Sequence, residues 1–251
     1  MENKKIIYYT QLDSTNTEIT RLAEQGAAHG TVVVADAQTA GKGRRGRAWE
    51  SPAGQNIYMS ILLRPNCVPD RAPMLTLIMA YSVAKVIRQL GFSDVQIKWP
   101  NDLVMSGKKI CGILTEMQLN DTDIDYVVVG VGINVNTSEF PEELKETATS
   151  LYLQSGRVID RQMMVESIVE FFEKEYRQFL MTQDLSFLSK EYNDMLINVG
   201  RQVRVLEPGK EYTAYARGIN SEGELLVRTA EGDEKHVYAG EVSVRGIYGY
   251  V

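Results

Sequence analysis

The hydrophobic pattern of the chain changes near residue 197, and this change limits the possible folds more than any other feature. Before it, β-branched runs typical of strands are interspersed with long helical stretches, which favours an α+β domain built on a mixed β-sheet with flanking helices. After it, short alternating runs are separated by turn signals such as Pro208-Gly209, a pattern typical of a small β-barrel. We therefore predict one domain over residues 1–196 and a second over residues 197–251.

Local patterns place the main elements of the first domain. The segment at residues 13–16 is expected to begin a helix, with Asp13 or Ser14 as its cap and with Thr15 and Glu18 at the spacing of a capping box. Apolar residues at helical spacing predict further helices. The predicted strands are 4–10, 31–38, 56–65 and 125–136, and the predicted long helices are 73–91 and 160–182.

Composition excludes several classes of protein. The 251 residues carry a net charge of −6, which argues against a general nucleic-acid binder, because such proteins need a basic face. The two cysteines, Cys67 and Cys111, lie in no metal-ligand spacing, so neither a disulfide scaffold nor a zinc site is expected. The N-terminus lacks the apolar stretch of a signal peptide, and the apolar run at 126–133 is too short for a membrane span. We expect a cytoplasmic protein that binds neither DNA nor membranes.

The segment GKGRRGRAW at residues 41–49 is the strongest local signal, with four cations among three glycines. It could be a solvated basic loop, but glycines let backbone N–H groups approach an anion closely while the cations neutralise it. The pattern therefore favours a site for a phosphate or an acyl-phosphate. Although Gly41, Gly43 and Gly46 match GxGxxG, loop-forming residues follow instead of a helix, which argues against a dinucleotide-binding site.

Four further motifs are weak when each is taken alone. The KWPND segment at 98–102 could be a turn, the KKICGIL strand at 108–114 could be an edge strand protected by lysines, and DSTN at 13–16 could be a helix cap. The GVGIN segment at 130–134 places two glycines in a strand, which indicates that a ligand or another backbone packs closely there.

Taken together, the five motifs closely resemble those of the biotin–protein ligases, in the family's order and spacing over residues 10–136. The resemblance extends to an SH3-like C-terminal domain at 197–251. It implies an enzyme that uses ATP and Mg²⁺ to convert biotin to biotinyl-5′-AMP, with release of pyrophosphate. A lysine of a biotin carboxyl carrier domain, presented on a tight hairpin, would then receive the biotin.

The resemblance also implies roles for individual residues. Lys109 would bridge the biotin carboxylate and the α-phosphate, and Arg44 with Gly43 would hold the carboxylate or acyl-phosphate side. Gly112 and Gly130 would leave room for the bicyclic ring and the valeryl chain. The biotin-binding set is Ser14, Thr15, Asn16, Gln38, Lys42, Gly43, Arg44, Lys109, Gly112 and Gly130. The nucleotide set is Arg47, Trp49, whose indole would stack on adenine, Asn134 and Asp102, which would order the lysines or assist Mg²⁺.

Two departures qualify this assignment. Lys42 stands where the family often has arginine, so a bidentate role at this position would be lost. The ligase motifs begin at residue 13, which leaves no room for the DNA-binding domain of the members that repress transcription, so repressor activity is expected to be absent.

The alternatives are a lipoate or octanoate ligase or transferase of the same fold and a biotin sensor without turnover. The family's exposed sheet could also pair two chains into a homodimer.

Overall fold

A mixed seven-stranded sheet forms the centre of the first domain. The computed structural model describes residues 5–207, 210–239 and 243–246. Strand order is β1-β2-β3-β7-β6-β5-β4, with β1 parallel to β2 and all other neighbours antiparallel. The strands are β1 (Ile6–Leu12), β2 (Val32–Gln38), β3 (Ile57–Leu63), β4 (Gln96–Lys98), β5 (Asp102–Met105), β6 (Lys108–Asn120) and β7 (Asp123–Ile133). The prediction of an α+β fold with a mixed sheet is confirmed.

Helices cover the two faces of this sheet unequally. The helices are α1 (Thr15–Glu24), α2 (Met74–Gln89), α3 (Leu151–Ser155), α4 (Arg161–Thr182) and α5 (Ser189–Met195). One face carries α2, which is buried along most of its length in the main core, and α4 packs against α2. The other face is covered at one end by α1, whose Ile19 packs on Val33, Leu62 and Val128. Part of this second face is therefore left uncovered beyond α1.

The long helices begin and end close to the predicted positions because their local signals are strong. The Asp160 carboxylate accepts a hydrogen bond from the Met163 N–H at 3.0 Å, as expected of an N-cap. The predicted first strand was placed about two residues too early, since β1 runs over Ile6–Leu12. Among the described helices, none combines the length and apolar character needed to cross a membrane.

The predicted capping box at the start of α1 is wrong. Ser14 occupies the N-cap position, but its side chain makes no capping hydrogen bond. The Glu18 carboxylate accepts instead from the hydroxyl of Tyr9 at 3.1 Å and from Arg21 at 3.1 Å. The Thr15 backbone N–H donates to Gln38 Oε1 at 2.8 Å. Glu18 is therefore engaged by Tyr9 of β1 and by Arg21, and the Thr15 N–H is engaged by β2, so the reciprocal bonds of a capping box do not form.

The C-terminal strands form a separate antiparallel sheet with the order β11-β10-β9-β8-β12 in the described residues. These strands are β8 (Gln202–Glu207), β9 (Lys210–Ile219), β10 (Leu225–Arg228), β11 (Glu234–Val237) and β12 (Ser243–Gly246). The indole N–H of Trp99 donates to the Gly223 carbonyl at 3.1 Å, and the Trp99 backbone N–H donates to Asn198 Oδ1 at 2.9 Å. The turn that follows β4 is thus fastened to the C-terminal sheet.

Candidate active site

A cavity lies on the part of the sheet face that α1 leaves uncovered, between the N-terminus of α1, the segment after β2, and strands β6 and β7. Its lining combines one polar end, one cationic end and a floor of glycines. The lining residues are Ser14, Thr15, Asn16, Gln38, Lys42, Gly43, Arg44, Trp49, Asn101, Lys109, Gly112, Ile113, Leu114, Gly130, Val131 and Gly132. All ten residues predicted to bind biotin are among them.

The polar end is a continuous hydrogen-bond network of uncharged side chains. Thr15 donates from its N–H and its hydroxyl to Gln38 Oε1, at 2.8 and 3.2 Å. Gln38 Nε2 donates to Ser51 Oγ at 2.9 Å. The fully buried Ser60 hydroxyl lies 2.6 Å from Asn16 Oδ1 and 2.8 Å from Thr15 Oγ1. Because buried polar groups are costly to reorient, this end of the cavity is preorganised to meet a neutral ligand that offers both donors and acceptors.

Asn16 is held in one orientation by hydrogen bonds to two strands, β6 and β3. Its Nδ2 donates to Glu116 Oε2 at 2.6 Å and to the Leu114 carbonyl at 3.4 Å, while Oδ1 faces Ser60. Gly130 lies directly beneath it, and a Cβ at that position would overlap Asn16 Oδ1. The missing side chain at Gly130 therefore allows Asn16 to reach the sheet.

The cationic end is built around Lys109 and Arg44. Lys109 Nζ lies 2.7 Å from Asp102 Oδ1 and 5.1 Å from the centre of the Trp49 ring. Arg44 Nη1 donates to Asn101 Oδ1 at 2.9 Å. Burial lowers the pKa of the Arg44 guanidinium, and the nearby Asp102 carboxylate acts in the opposite direction. Two cations from different parts of the chain thus face one region of the cavity.

The basic segment 41–49 folds back on itself beside the cavity. Lys42 and Ala48 form an antiparallel bridge, and the Gly43 N–H donates to the Arg47 carbonyl at 2.7 Å. A single 3-10 turn over Arg44–Gly46 closes the segment, with Arg45 in the left-handed region at φ 58° and Gly46 at φ 70°. No helix opens after Gly46, so the rejection of a dinucleotide-binding fingerprint agrees with the geometry.

The Trp49 indole packs against the glycine floor. A Cβ at Gly132 would approach the indole to 2.6 Å, and one at Gly112 would approach it to 2.9 Å. These two glycines are direct neighbours across β6 and β7. Within the described part of the chain, Trp49 Nε1 is buried and has no hydrogen-bond partner. A buried donor without an acceptor is costly, so the indole is held against the sheet by packing and not by a hydrogen bond.

Three residues predicted to bind the nucleotide do not line the cavity. Arg47 is exposed on the basic segment. Asn134 is buried, and its Nδ2 donates to the Thr149 carbonyl at 3.1 Å and lies 3.5 Å from the Lys109 carbonyl. Asp102 follows the lining residue Asn101 in sequence, and its carboxylate contacts Lys109.

Sequence reasoning missed Ser60, Glu116 and Gly132 and did not assign a role to Asn101. Asn101 lies in the KWPND motif and Gly132 lies in the GVGIN motif, so these motifs could have indicated both residues. Ser60 and Glu116 carry no local signal, because they meet Asn16 only through contacts that span 44 and 100 residues of sequence.

Comparison with known proteins agrees with this geometry. The profile of the biotin/lipoate A/B protein ligase family matches residues 8–134, and that of the biotin protein ligase C-terminal domain matches residues 199–245. The chain belongs to the biotin/lipoate A/B protein ligase family. This membership confirms the family predicted from the five motifs, and it confirms the predicted fold class.

Relatives in this family align over nearly the whole chain. The bifunctional ligase/repressor BirA of Bacillus subtilis is 39% identical over 241 residues, which cover 95% of this chain and 74% of the relative. The biotin–[acetyl-CoA-carboxylase] ligase of Mycobacterium tuberculosis is 32% identical and is aligned over 92% of this chain and 86% of its own length. The Aquifex aeolicus biotin protein ligase, solved in complex with biotin and ATP, is 32% identical with a TM-score of 0.85, covering 97% of this chain and 100% of that one.

Proposed function

We propose that this family member, an ATP-dependent biotin ligase, forms biotinyl-5′-AMP and transfers its biotin to a lysine of a biotin carboxyl carrier domain. The observation that carries the proposal is the joining of a neutral polar network and a cationic cluster in one cavity. Biotin has the matching asymmetry, since its ureido ring is neutral and its valeryl chain ends in a carboxylate.

In the first step, a biotin carboxylate oxygen bonds to the α-phosphorus of ATP and the bond to pyrophosphate breaks. Two anions must approach each other, so the site has to offset their repulsion with fixed cations. Lys109 bridges the carboxylate and the α-phosphate in this proposal, and Arg44 beside Gly43 holds the carboxylate or acyl-phosphate side. Both cations already border the same cavity.

The polar network receives the ureido ring. Ser14, Thr15, Asn16 and Gln38 supply donors and acceptors without net charge, as a neutral ring requires. Because both Asn16 amide N–H groups face Glu116 and the Leu114 carbonyl, Asn16 contributes chiefly its oxygen, as an acceptor for a ureido N–H. Trp49 lies against Gly112 and Asn16 lies against Gly130, so these glycines act by letting both side chains reach the floor of the cavity. Lys42 lines the cavity.

The nucleotide is proposed to lie beside Trp49, which lines the cavity, with the indole stacked on adenine. Arg47 is exposed and would meet the nucleotide from the basic segment. Asn134 would use its amide oxygen, because its amide nitrogen is engaged by the Thr149 carbonyl.

Mg²⁺ fits this site only together with nucleotide phosphates. Among the described residues, no group of three or more histidine, cysteine or acidic side chains is placed to hold a metal ion. Mg²⁺ is commonly held by one or two carboxylates plus substrate phosphates, so Asp102 is the residue that would hold it here. The bound ion would neutralise charge on the phosphates while Asp102 also keeps its contact with Lys109.

In the second step, the neutral amine of the carrier lysine attacks the acyl carbon of the mixed anhydride. An amide bond forms, the acyl C–O bond to phosphate breaks so that AMP leaves, and the amine gives up one proton to water. The identity of the carrier, the absence of DNA binding and the pairing of two chains stay predictions. A carrier that presents its lysine on a tight hairpin would suit an open cavity on the face of a sheet.

The proposal is tested by incubating the purified chain with Mg-ATP and one of three acids, biotin, lipoate or octanoate, without carrier. Enzyme-bound acyl-adenylate and released pyrophosphate are measured by mass spectrometry and a coupled assay. We expect adenylate from biotin alone. Adenylate from lipoate or octanoate instead would keep the fold and overturn the substrate, whereas biotin binding without pyrophosphate would identify a sensor.

A further inference from the structure

Asn101 occupies the turn between β4 and β5 and lines the cavity between its two cations. Its backbone carbonyl accepts from the Ile113 N–H at 2.9 Å, and its Nδ2 lies 3.1 Å from the Ile113 carbonyl. Main chain and side chain therefore both fix this turn to β6. The amide plane of Asn101 has little freedom to rotate in this position.

Both polar atoms of this amide also reach the cationic end of the cavity. Oδ1 accepts from Arg44 Nη1 at 2.9 Å, and Nδ2 donates to Asp102 Oδ1 at 3.2 Å. Asp102 Oδ1 in turn lies 2.7 Å from Lys109 Nζ. A continuous path of three contacts thus links Arg44 to Lys109 through Asn101 and Asp102.

This path needs an amide at position 101. A carboxylate there could accept from Arg44 but would repel Asp102 and the Ile113 carbonyl. An apolar side chain could neither accept from Arg44 nor donate to Asp102. Arg44 and Asn101 are 57 residues apart in sequence, so their contact also ties the basic segment to the sheet.

We propose that Asn101 is a positioning residue that sets the spacing of Arg44 and Lys109 for adenylate formation. This inference rests on the proposed function, since it concerns the same two cations. Misplacement of a reacting geometry by about 1 Å can cost on the order of 100-fold in rate. A residue that only stabilised the turn would instead affect folding and ligand binding together.

The test compares Asn101→Ala with a matched control, Asn136→Ala. Asn136 is also a partly buried asparagine, and it makes two side-chain hydrogen bonds to Ile159 at 2.9 Å, but it does not line the cavity. Single-turnover formation of biotinyl-5′-AMP, the biotin Kd and the Tm are measured for each. We expect Asn101→Ala to slow adenylate formation by about 10- to 100-fold while its biotin Kd and Tm match those of the control.

A double-mutant cycle with Arg44→Ala then separates an effect of Asn101 that acts through Arg44 from a loss of rate that does not depend on Arg44. If Asn101 acts through Arg44, Asn101→Ala should have much less effect when Arg44 is already absent. An equal loss in both backgrounds, or an Asn101→Ala rate like that of the wild type, would overturn the inference.

Asn101→Asp keeps the size of the side chain and is the second test variant if Asn101→Ala does not fold. It retains the acceptor for Arg44 but repels Asp102, so its rate should also fall, and a wild-type rate would overturn the inference. If wild-type protein forms no adenylate, the proposed function fails and the inference fails with it. If wild type is active and the Asn101 variants match it, the inference fails alone.

Discussion

The ammonium of Lys109 lies 2.7 Å from the carboxylate of Asp102, within an ion pair whose two side chains are mostly buried. The pair joins β6 to the end of the turn after β4, which come together only in the folded sheet. Lys109 is therefore oriented before any ligand arrives. In the proposed reaction it keeps this orientation while it meets two anionic groups.

The contact predicts that Asp102→Asn will slow adenylate formation, because Lys109 loses its ionic partner and Mg²⁺ loses its proposed carboxylate. We expect a fall on the order of 10- to 100-fold in single-turnover rate. Asp125→Asn is the matched control, since Asp125 pairs with Arg64 at 2.8 Å on the surface and lies outside the cavity. Equal rates for the two variants would refute a role for the pair.

Gly130→Ala should weaken biotin binding, because the added Cβ would overlap Asn16 Oδ1 and force Asn16 away from Glu116 and Ser60. Loss of the oriented acceptor should raise the biotin Kd by about 10-fold or more, as measured by calorimetry. A Tm scan separates this effect from unfolding. A Kd unchanged in a folded variant would show that Asn16 does not contact the ligand.

The basic segment 41–49 is predicted to be mobile without ligand and ordered with it, because its cations repel one another until an anion neutralises them. Trypsin should cleave at the exposed Arg45 and Arg47 in the free protein and more slowly with biotin and Mg-ATP. Cleavage at Arg157, exposed and outside the cavity lining, serves as the reference. Equal cleavage of the segment with and without ligands would rule out this ordering.

Trp99→Phe should destabilise the protein, because the buried Gly223 carbonyl would lose its hydrogen bond from the indole. The expected loss is about 1–3 kcal/mol in the free energy of unfolding, measured with urea. Tyr176→Phe is the control, since the buried Tyr176 hydroxyl has no hydrogen-bond partner in the described residues and its removal should be neutral or stabilising. A smaller loss of unfolding free energy for Trp99→Phe than for Tyr176→Phe would contradict a stabilising role for the hydrogen bond between Trp99 and Gly223.

The parts of the fold that depend on local pattern were predictable. The β-branched run at 31–38 and the apolar spacing of 73–91 and 160–182 correspond to β2, α2 and α4 within one or two residues. The capping box at Thr15 and Glu18 failed because Gln38, which is remote in sequence, competes for the Thr15 N–H. A local motif cannot report such competition.

The site was predictable where family motifs carried it and not beyond them. Motif resemblance named Lys109, Arg44 and the residues of the polar end, which the fold brings to one cavity. Ser60 and Glu116 became visible only when the sheet placed β3 and β6 beside the start of α1. Arg47 and Asn134 were assigned to the nucleotide by resemblance, and their side chains stand outside the lining of the cavity.

The proposed role of Lys109 is tested by comparing Lys109→Ala with Lys108→Ala in single-turnover incubation with biotin and labelled Mg-ATP. Lys108 is the adjacent lysine on β6, but its ammonium donates to the Lys145 carbonyl at 2.6 Å, away from the cavity lining. We expect biotinyl-5′-AMP and pyrophosphate to form in wild type and in Lys108→Ala and to fall by at least about 100-fold in Lys109→Ala. Adenylate formation at the wild-type rate in Lys109→Ala would show that Lys109 does not take part in adenylate formation.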